Sequence, residues 1–137
     1  MIKYRLVFGL LFFVNLHVFS QNLDETKKNI IKSIENHEEE IIKISDKIWE
    51  LAETAFNEYE SSKLLSDYAE ANGFSLERGV AGMPTAFIAT YGQGRPVISV
   101  LGEFDALPGL SQDTTPTKKP LTEGGNGHGC GHNLFGA

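Results

Sequence analysis

The amino-acid sequence predicts an α/β domain in which two helices are followed by three short strands. Apolar residues recur at helical spacing in the first half of the chain, whereas 13 of the 14 glycines lie from Gly73 onward. The apolar runs after Gly73 are short and alternate with glycine- and proline-rich segments, which is typical of strands and turns. This order of elements predicts an α/β sandwich, of which we expect the chain to hold only the first part.

The first 20 residues have the layout of a secretory signal peptide. Two basic residues precede the apolar run 6–14, and a small residue, Ser20, closes the segment. A membrane anchor is the alternative, but this run is too short for a spanning helix, which needs about 20 apolar residues. We therefore expect residues 1–20 to be cleaved off. Residues 21–137 would then be exported to the periplasm or the extracellular space, with no stable membrane span.

The chain is acidic, with a formal net charge of −6 at pH 7. Removal of residues 1–20 takes away two basic residues and no acidic ones, which leaves 10 basic against 18 acidic residues and a charge of −8. Lys118 and Lys119 alone cannot form a basic stripe, so the composition excludes a nucleic-acid-binding protein. The single cysteine, Cys130, excludes an intrachain disulfide.

The segment Asp24–Phe56 predicts one long amphipathic helix, because its apolar residues form a single stripe at steps of three, four and seven residues. His37 lies on that stripe and is interpreted as a partly buried helix residue rather than a ligand. Trp49 is interpreted as a core residue rather than a site residue. The stripe comprises Ile30, Ile34, Ile41, Ile44, Ile48, Leu51 and Ala55.

A second helix is predicted from about Ser61 to Asn72. Ser61 or Ser62 would cap its N-terminus, and Gly73 would supply the left-handed residue that ends it. Its inner stripe would consist of Leu64, Leu65, Tyr68 and Ala69.

Three β-rich runs follow, Phe74–Glu77, Thr85–Tyr91 and Val97–Phe104. The glycine and proline residues of 92–96 predict a hairpin turn between the second and third runs. The third run carries apolar residues on both faces, which predicts a strand buried on both sides. The stretch 107–127 lacks an apolar period and is predicted to be a long functional loop.

Two carboxylates, Glu103 and Asp105, end the third predicted strand. Residues two apart in a strand face the same side, so both side chains would project from its carboxyl end, where α/β sheets place their sites. The alternative is a solvated strand end with two ordinary acids.

His128, Cys130 and His132 alternate with Gly129 and Gly131. In an extended segment this spacing would place the three side chains on one face, near enough to share an ion. Imidazole and thiolate are ligands of zinc, cobalt and iron, whereas thiolate disfavours magnesium and calcium. A closed structural zinc finger needs four ligands and is not expected with one cysteine. The alternative to a metal site is a glycine-rich turn in which the histidines are incidental.

The segments 82–112 and 127–133 resemble the co-catalytic metallopeptidase family of aminoacylases, hippurate hydrolases, auxin-conjugate hydrolases and related carboxypeptidases. The match rests on Gly-Glu-Phe-Asp-Ala-Leu-Pro-Gly-Leu-Ser-Gln, which begins at Gly102, together with Gly-His-Gly-Cys-Gly-His-Asn, which begins at Gly127. Within the family, the chain is similar to the branch that contains the B subunit of aminobenzoyl-glutamate hydrolase.

The resemblance implies roles for the five candidate site residues. Cys130 and His132 would be metal ligands, and Asp105 would orient them from behind. Glu103 falls where more distant relatives have a ligating histidine, and His128 matches a histidine of the motif. Both are therefore further candidate ligands.

The resemblance also implies a fold and a reaction. Residues 21–137 would be the N-terminal part of a zinc-exopeptidase-like catalytic domain, a helix-flanked mixed sheet. The intact enzyme would be a metal-dependent amidohydrolase or peptidase with two divalent ions (zinc, manganese or cobalt) that activate water. Its substrates would be small amides: N-acyl or aryl-amido amino acids, or small dipeptides.

Much of that implied enzyme would lie beyond Ala137. The general base, the remaining ligands and a smaller inserted domain, through which homo- or hetero-oligomers would form, are all expected there. The present chain alone is therefore expected to be inactive. The alternative function is a non-catalytic secreted module that binds a metal or a partner and ends at Ala137, and a purely structural module is a third.

Overall fold

The computed structural model describes residues 23–137 in full. The chain divides into two compact units, Met1–Glu39 and Glu40–Ala137. The first unit consists of the N-terminal part of the first helix, and the second unit holds all other elements. The predicted signal peptide at residues 1–20 lies outside the described residues. The elements are α1 (Ile2–Leu51), α2 (Tyr59–Ala71), β1 (Ser75–Arg78), β2 (Phe87–Thr90) and α3 (His132–Gly136).

Only the C-terminal end of the α1 apolar stripe is buried. Ile44 and Ile48 are almost fully buried and form the core of the second unit with Leu65 of α2. Ile30 and Ile34, earlier on the same stripe, are exposed. Among the described residues, no helix is both long enough and apolar enough to cross a membrane.

Helix α1 ends at Leu51, five residues before the predicted end at Phe56. Ala52 adopts a left-handed conformation with φ +45°, which turns the chain away from the helix axis. The next residues then pair with a distant segment: the amide of Ala106 donates to the carbonyl of Glu53 at 2.7 Å, and Thr54 forms a parallel bridge with Ala106. A helical period cannot reveal this pairing, because it depends on residues far along the chain.

The N-terminus of α2 is capped from outside the helix, not by its own serines as predicted. The Glu53 carboxylate accepts hydrogen bonds from the amides of Glu60 (3.1 Å) and Ser61 (2.8 Å), and from the Ser61 hydroxyl (2.7 Å). Ser62 instead donates its hydroxyl to the carbonyl of Thr85 at 2.7 Å. At the other end, Gly73 is left-handed (φ +89°), as predicted.

Strands β1 and β2 form a two-stranded antiparallel sheet, in which Ser75 pairs with Thr90 and Arg78 with Phe87. Strand β2 lies within the second predicted β-rich run, and β1 overlaps the first run and extends one residue past it, to Arg78. Arg78 of β1 connects the sheet to α2 through a hydrogen bond, in which its guanidinium Nε donates to the Ser66 hydroxyl at 3.2 Å.

The third predicted strand does not form. The described residues 97–104 have no ladder partner, and Val97, Ile98, Val100 and Leu101 are exposed rather than buried on both sides. Phe104 alone turns inward, where its ring lies 6.1 Å from that of Phe87. Burial on both sides requires a strand to lie within a sheet whose two faces are both covered. Among the described residues the sheet contains β1 and β2 alone, and residues 97–104 pair with the free edge of neither strand.

The observed architecture is therefore helices with a small antiparallel sheet, which is compatible with the predicted α/β class. The helix-flanked mixed sheet that the family resemblance implied is not formed by the described residues. Two isolated bridges, Thr54–Ala106 and Leu107–Gly127, are the sheet-like contacts around the predicted site.

Replacement of Glu53 by alanine should lower the free energy of unfolding by about 1 kcal/mol, because α2 loses the acceptor for its first amides. Urea denaturation measures this change. Glu50→Ala is the matched control, since Glu50 is an exposed acid whose ion pair with Lys47 is also exposed. Equal stabilities of the two variants would contradict the capping role of Glu53.

Candidate functional site

The long loop predicted at 107–127 is closed at its base. Leu107 and Gly127 exchange two backbone hydrogen bonds of 2.9 and 3.0 Å, so the segments on either side of the loop are adjacent. Gly127 is required there, because a Cβ at this position would lie 2.2 Å from the carbonyl oxygen of Leu110. This closure brings the segment that carries Glu103 and Asp105 to the segment that carries His132.

The segment 128–131 is a turn, and the prediction of an extended segment is wrong. The Gly131 amide donates to the carbonyl of His128 at 3.2 Å, and Gly131 is left-handed (φ +79°). Helix α3 starts at the next residue, with the Leu134 amide bonded to the Gly131 carbonyl at 3.0 Å. Glycine permits this reversal at little conformational cost, and a turn removes the alternation of side chains that a strand would have.

Glu103, Asp105 and His132 form a cluster in which one ligand atom of each lies within 4.8 Å of the others. His132 Nδ1 lies 2.8 Å from Asp105 Oδ1, and His132 Nε2 lies 3.3 Å from Glu103 Oε2. The Asp105 and His132 side chains are about three-quarters buried, whereas that of Glu103 is exposed. The imidazole ring is therefore held between two carboxylates at the rim of the fold.

Helix α3 approaches the carboxylate segment closely at Gly136. A Cβ at this position would lie 2.7 Å from the Phe104 Cβ and 2.9 Å from the carbonyl oxygen of Glu103. Because Gly136 has no side chain, α3 packs directly on this backbone and carries His132 toward the two acids.

The cluster has the donor chemistry of a divalent-cation site. With its proton on Nδ1, the neutral His132 ring donates to Asp105. Nε2 and the Glu103 carboxylate then face each other as two acceptors, which a cation between them satisfies. The 3.3 Å between these atoms is close to the separation of about 3.4 Å expected for two ligands of a tetrahedral zinc ion. An imidazolium that donates to both carboxylates is the metal-free alternative.

Cys130 and His128 do not belong to this cluster. Cys130 lies on the 128–131 turn with an exposed thiol. His128 Nε2 lies 3.0 Å from the carbonyl oxygen of Ile48. Of the five predicted site residues, the structure thus brings together Glu103, Asp105 and His132.

The contact to Ile48 determines the tautomer of His128. A carbonyl oxygen can only accept, so Nε2 carries the proton and Nδ1 has the lone pair. Nδ1 is buried and has no hydrogen-bond partner among the described residues. Burial lowers the pKa of His128, which the hydrogen bond to Ile48 only partly offsets, so the ring is neutral at neutral pH.

Two asparagines near His128 also bind the backbone at the C-terminal end of α1 and just past it. The Asn126 side-chain amide donates to the carbonyl of Ala52 at 3.2 Å. The Asn133 side-chain amide is directed at the carbonyl oxygen of Ser45 (3.4 Å) and at its hydroxyl (3.2 Å). Sequence reasoning missed these contacts, because the acceptors are mainly backbone carbonyls, which are present at every residue.

An open cavity of about 540 Å³ lies beside the loop, between the end of α1 and residues 110–129. Its walls combine apolar and polar side chains, and none of the three cluster residues lines it. The lining includes Trp49, Leu110, Leu121, Asn126 and His128.

Comparison with known proteins identifies hydrolases as relatives, although no family model matches the chain. The chain is 46% identical over 117 residues to the B subunit of p-aminobenzoyl-glutamate hydrolase from Escherichia coli, a match that covers 83% of this chain and 24% of that protein. It is 34% identical over 113 residues to thermostable carboxypeptidases 1 and 2 of Saccharolobus solfataricus, which covers 81% of this chain and 27% of each. The chain thus spans about a quarter of the length of the curated relatives it matches.

Gly127→Ala should lower the free energy of unfolding by about 2 kcal/mol, because the new methyl group overlaps backbone atoms of residues 110 and 111 that cannot move independently. Urea denaturation measures this loss. Gly102→Ala is the control, since a Cβ there meets its neighbours at 3.6 Å or more. Similar stability of the two variants would show that the loop base tolerates a side chain.

Proposed function

We propose that this chain, which belongs to the metallopeptidase and amidohydrolase family, is part of a metal-dependent enzyme that hydrolyses amide bonds. Its relatives are a hydrolase of p-aminobenzoyl-glutamate and two carboxypeptidases, and both names describe the cleavage of a bond next to an amino acid. Substrates of the same class for this protein are N-acyl or aryl-amido amino acids and small dipeptides.

The observation that carries the proposal is the cluster of Glu103, Asp105 and His132. His132 Nε2 and a Glu103 carboxylate oxygen, 3.3 Å apart, are donors that suit zinc, manganese or cobalt, and Asp105 holds the other ring nitrogen of His132 at 2.8 Å. A divalent ion bound there would polarise an amide carbonyl and lower the pKa of a bound water toward about 7. We propose two such ions in the intact enzyme, as the family resemblance implies.

The residues of the chain have separate roles in this proposal. Asp105 accepts the Nδ1 proton of His132, which leaves the Nε2 lone pair free to bind the ion and keeps the ring in one orientation. Glu103 supplies a carboxylate oxygen on the solvent side of that nitrogen. The general base that takes the proton from water is assigned to a part of the enzyme outside this chain.

Cys130 is proposed as a further ligand of the site, beside His132 and Glu103. Its thiol is exposed and lies two residues before His132, on a turn flanked by glycines. The thiolate is the form that binds a metal, and an adjacent divalent ion stabilises that form. His128 is given no ligand role in this proposal.

Export and assembly are proposed on sequence grounds. The signal-peptide pattern of residues 1–20 supports export to the periplasm or the extracellular space. The Escherichia coli relative is by its name one subunit of a hydrolase, which supports association of this protein with a second subunit, in addition to the small-molecule amide substrate.

Substitution of the cluster residues tests the metal assignment. His132→Ala should remove the bound metal. Asp105→Asn should weaken metal binding by about 10- to 100-fold, because an amide lacks the carboxylate charge and the acceptor-only character that fix the imidazole tautomer. The measurements, made on the purified intact enzyme, are metal content by mass spectrometry and hydrolysis of p-aminobenzoyl-glutamate.

Asp113→Asn is the matched control for Asp105→Asn. The two aspartates have nearly equal exposure, 24% and 23%, and Asp113 pairs with Lys119 rather than with the cluster. The control should retain the metal and the activity of the wild type. Wild-type metal content in His132→Ala would exclude this cluster as the metal site.

Cys130→Ser separately tests the thiolate ligand. The variant should lose tightly held metal, and the cobalt-substituted protein should lose its sulfur-to-metal absorption band, because a serine hydroxyl does not replace a thiolate. Since Cys130 is exposed, the fold should be unaffected by the change, which circular dichroism checks. An unchanged cobalt spectrum would remove Cys130 from the ligand set.

A further inference from the structure

We infer that the C-terminal end of α1 positions residues 126–133, the segment that carries His132. In this inference His128 and Asn133 are positioning residues of the segment rather than metal ligands. The link to metal binding rests on the proposed function. The positioning itself rests on the contacts between α1 and the residues around His132.

Three side chains between residues 126 and 133 donate to backbone carbonyls at the C-terminal end of α1 and just past it. Asn126, His128 and Asn133 donate to the carbonyls of residues 52, 48 and 45, at 3.2, 3.0 and 3.4 Å. Residues 45 and 48 are three apart in α1, which places their carbonyls on one side of the helix about one turn apart, and residue 52 follows the last residue of the helix. The segment therefore runs along α1 with its residues in reverse order to those of the helix.

The three contacts differ in burial: the Asn133–Ser45 contact is buried, the His128–Ile48 contact is partly buried, and the Asn126–Ala52 contact is exposed. Ser45 and Ile48 are almost fully buried, and so is Asn133. The carbonyl of Ala52 lies past the last turn of α1, where no further helical amide is available to bond it. The Ile48 carbonyl also accepts from the Ala52 amide at 3.1 Å, so loss of the His128 donor removes the side-chain anchor but leaves that carbonyl bonded. Loss of the Asn133 donor removes a hydrogen bond from the interior, which costs more than an exposed one.

His128 and Asn133, two of the three side chains that anchor the segment to α1, lie on either side of His132. His128 precedes the turn, whose Gly131 amide bonds back to the His128 carbonyl, and Asn133 follows His132 directly. The position of His132 is therefore determined from both directions along the chain. This restraint allows Nδ1 to meet Asp105 at 2.8 Å although the intervening turn is built on glycine.

The chemistry of each anchor predicts which substitutions restore its function. The role of His128 is to donate from Nε2, so glutamine, which also ends in an N–H donor, can replace it, whereas alanine cannot. Asn133 faces the Ser45 carbonyl oxygen, so aspartate, with the same shape but no donor, cannot replace it. A ligand role for His128 predicts a different pattern, because a glutamine amide is a poor substitute for imidazole on zinc or cobalt.

The test is amide hydrogen exchange of the whole protein without added metal, followed by titration with cobalt. In His128→Ala and Asn133→Asp, residues 124–137 should exchange at least tenfold faster than in the wild type. Residues 59–71 of α2 serve as the internal reference and should keep their wild-type rates. His128→Gln should match the wild type in exchange and in cobalt affinity.

Three results would overturn the inference. One is wild-type exchange of residues 124–137 in Asn133→Asp. Another is wild-type exchange of the same residues in a folded His128→Ala. The third is a His128→Gln variant that keeps its exchange protection and loses cobalt, which would make His128 a ligand. If His128→Ala fails to fold, the same-size variants His128→Gln and Asn133→Asp still decide the question.

The same measurements separate this inference from the proposed function. Exchange in the absence of metal reports the anchoring alone. An intact wild-type enzyme that binds no cobalt and hydrolyses no amide would therefore exclude the proposed function, while the exchange rates would still show whether α1 holds residues 126–133.

Discussion

Burial of the C-terminal end of α1 is the constraint on which the second unit of the chain depends. Ile44 and Ile48 supply the core that α2 packs against, and the backbone just past α1 pairs with Ala106. Carbonyls of the same helix turns accept the hydrogen bonds that hold the segment around His132. One helix end therefore organises both the hydrophobic core and the polar site, because its side chains and its backbone acceptors face the same layer.

The candidate site also depends on backbone close approach. Gly127 lets the base of the long loop close against residue 110, and Gly136 lets α3 lie directly on the backbone at Glu103. Neither glycine is a ligand, yet a side chain at either position would move His132 relative to the carboxylates. The electrostatic arrangement of an imidazole between two acids thus rests on steric features of the chain around it.

The sequence predicted the local elements better than their contacts. Amphipathic periodicity located α1 and α2, and β-rich runs located both strands of the sheet, since these patterns are local. The third predicted strand and the extended 128–132 segment were wrong. Whether the apolar run from Val97 becomes a buried strand depends on a partner strand, and whether the glycine-rich segment turns depends on its anchors on α1. Neither the partner nor the anchors can be identified from nearby residues.

The sequence by itself determined the residue types of the site and their order: an acid pair, a long loop, and histidines and a cysteine among glycines. Spacing and ligand chemistry were sufficient to nominate Glu103, Asp105 and His132, together with His128 and Cys130. Only the tertiary structure decided which of the five meet. Cys130 lies exposed on the 128–131 turn, and His128 donates from Nε2 to the carbonyl of Ile48 in α1. The reason is physical: ligation requires atoms within a few ångströms, and that distance is set by long-range packing.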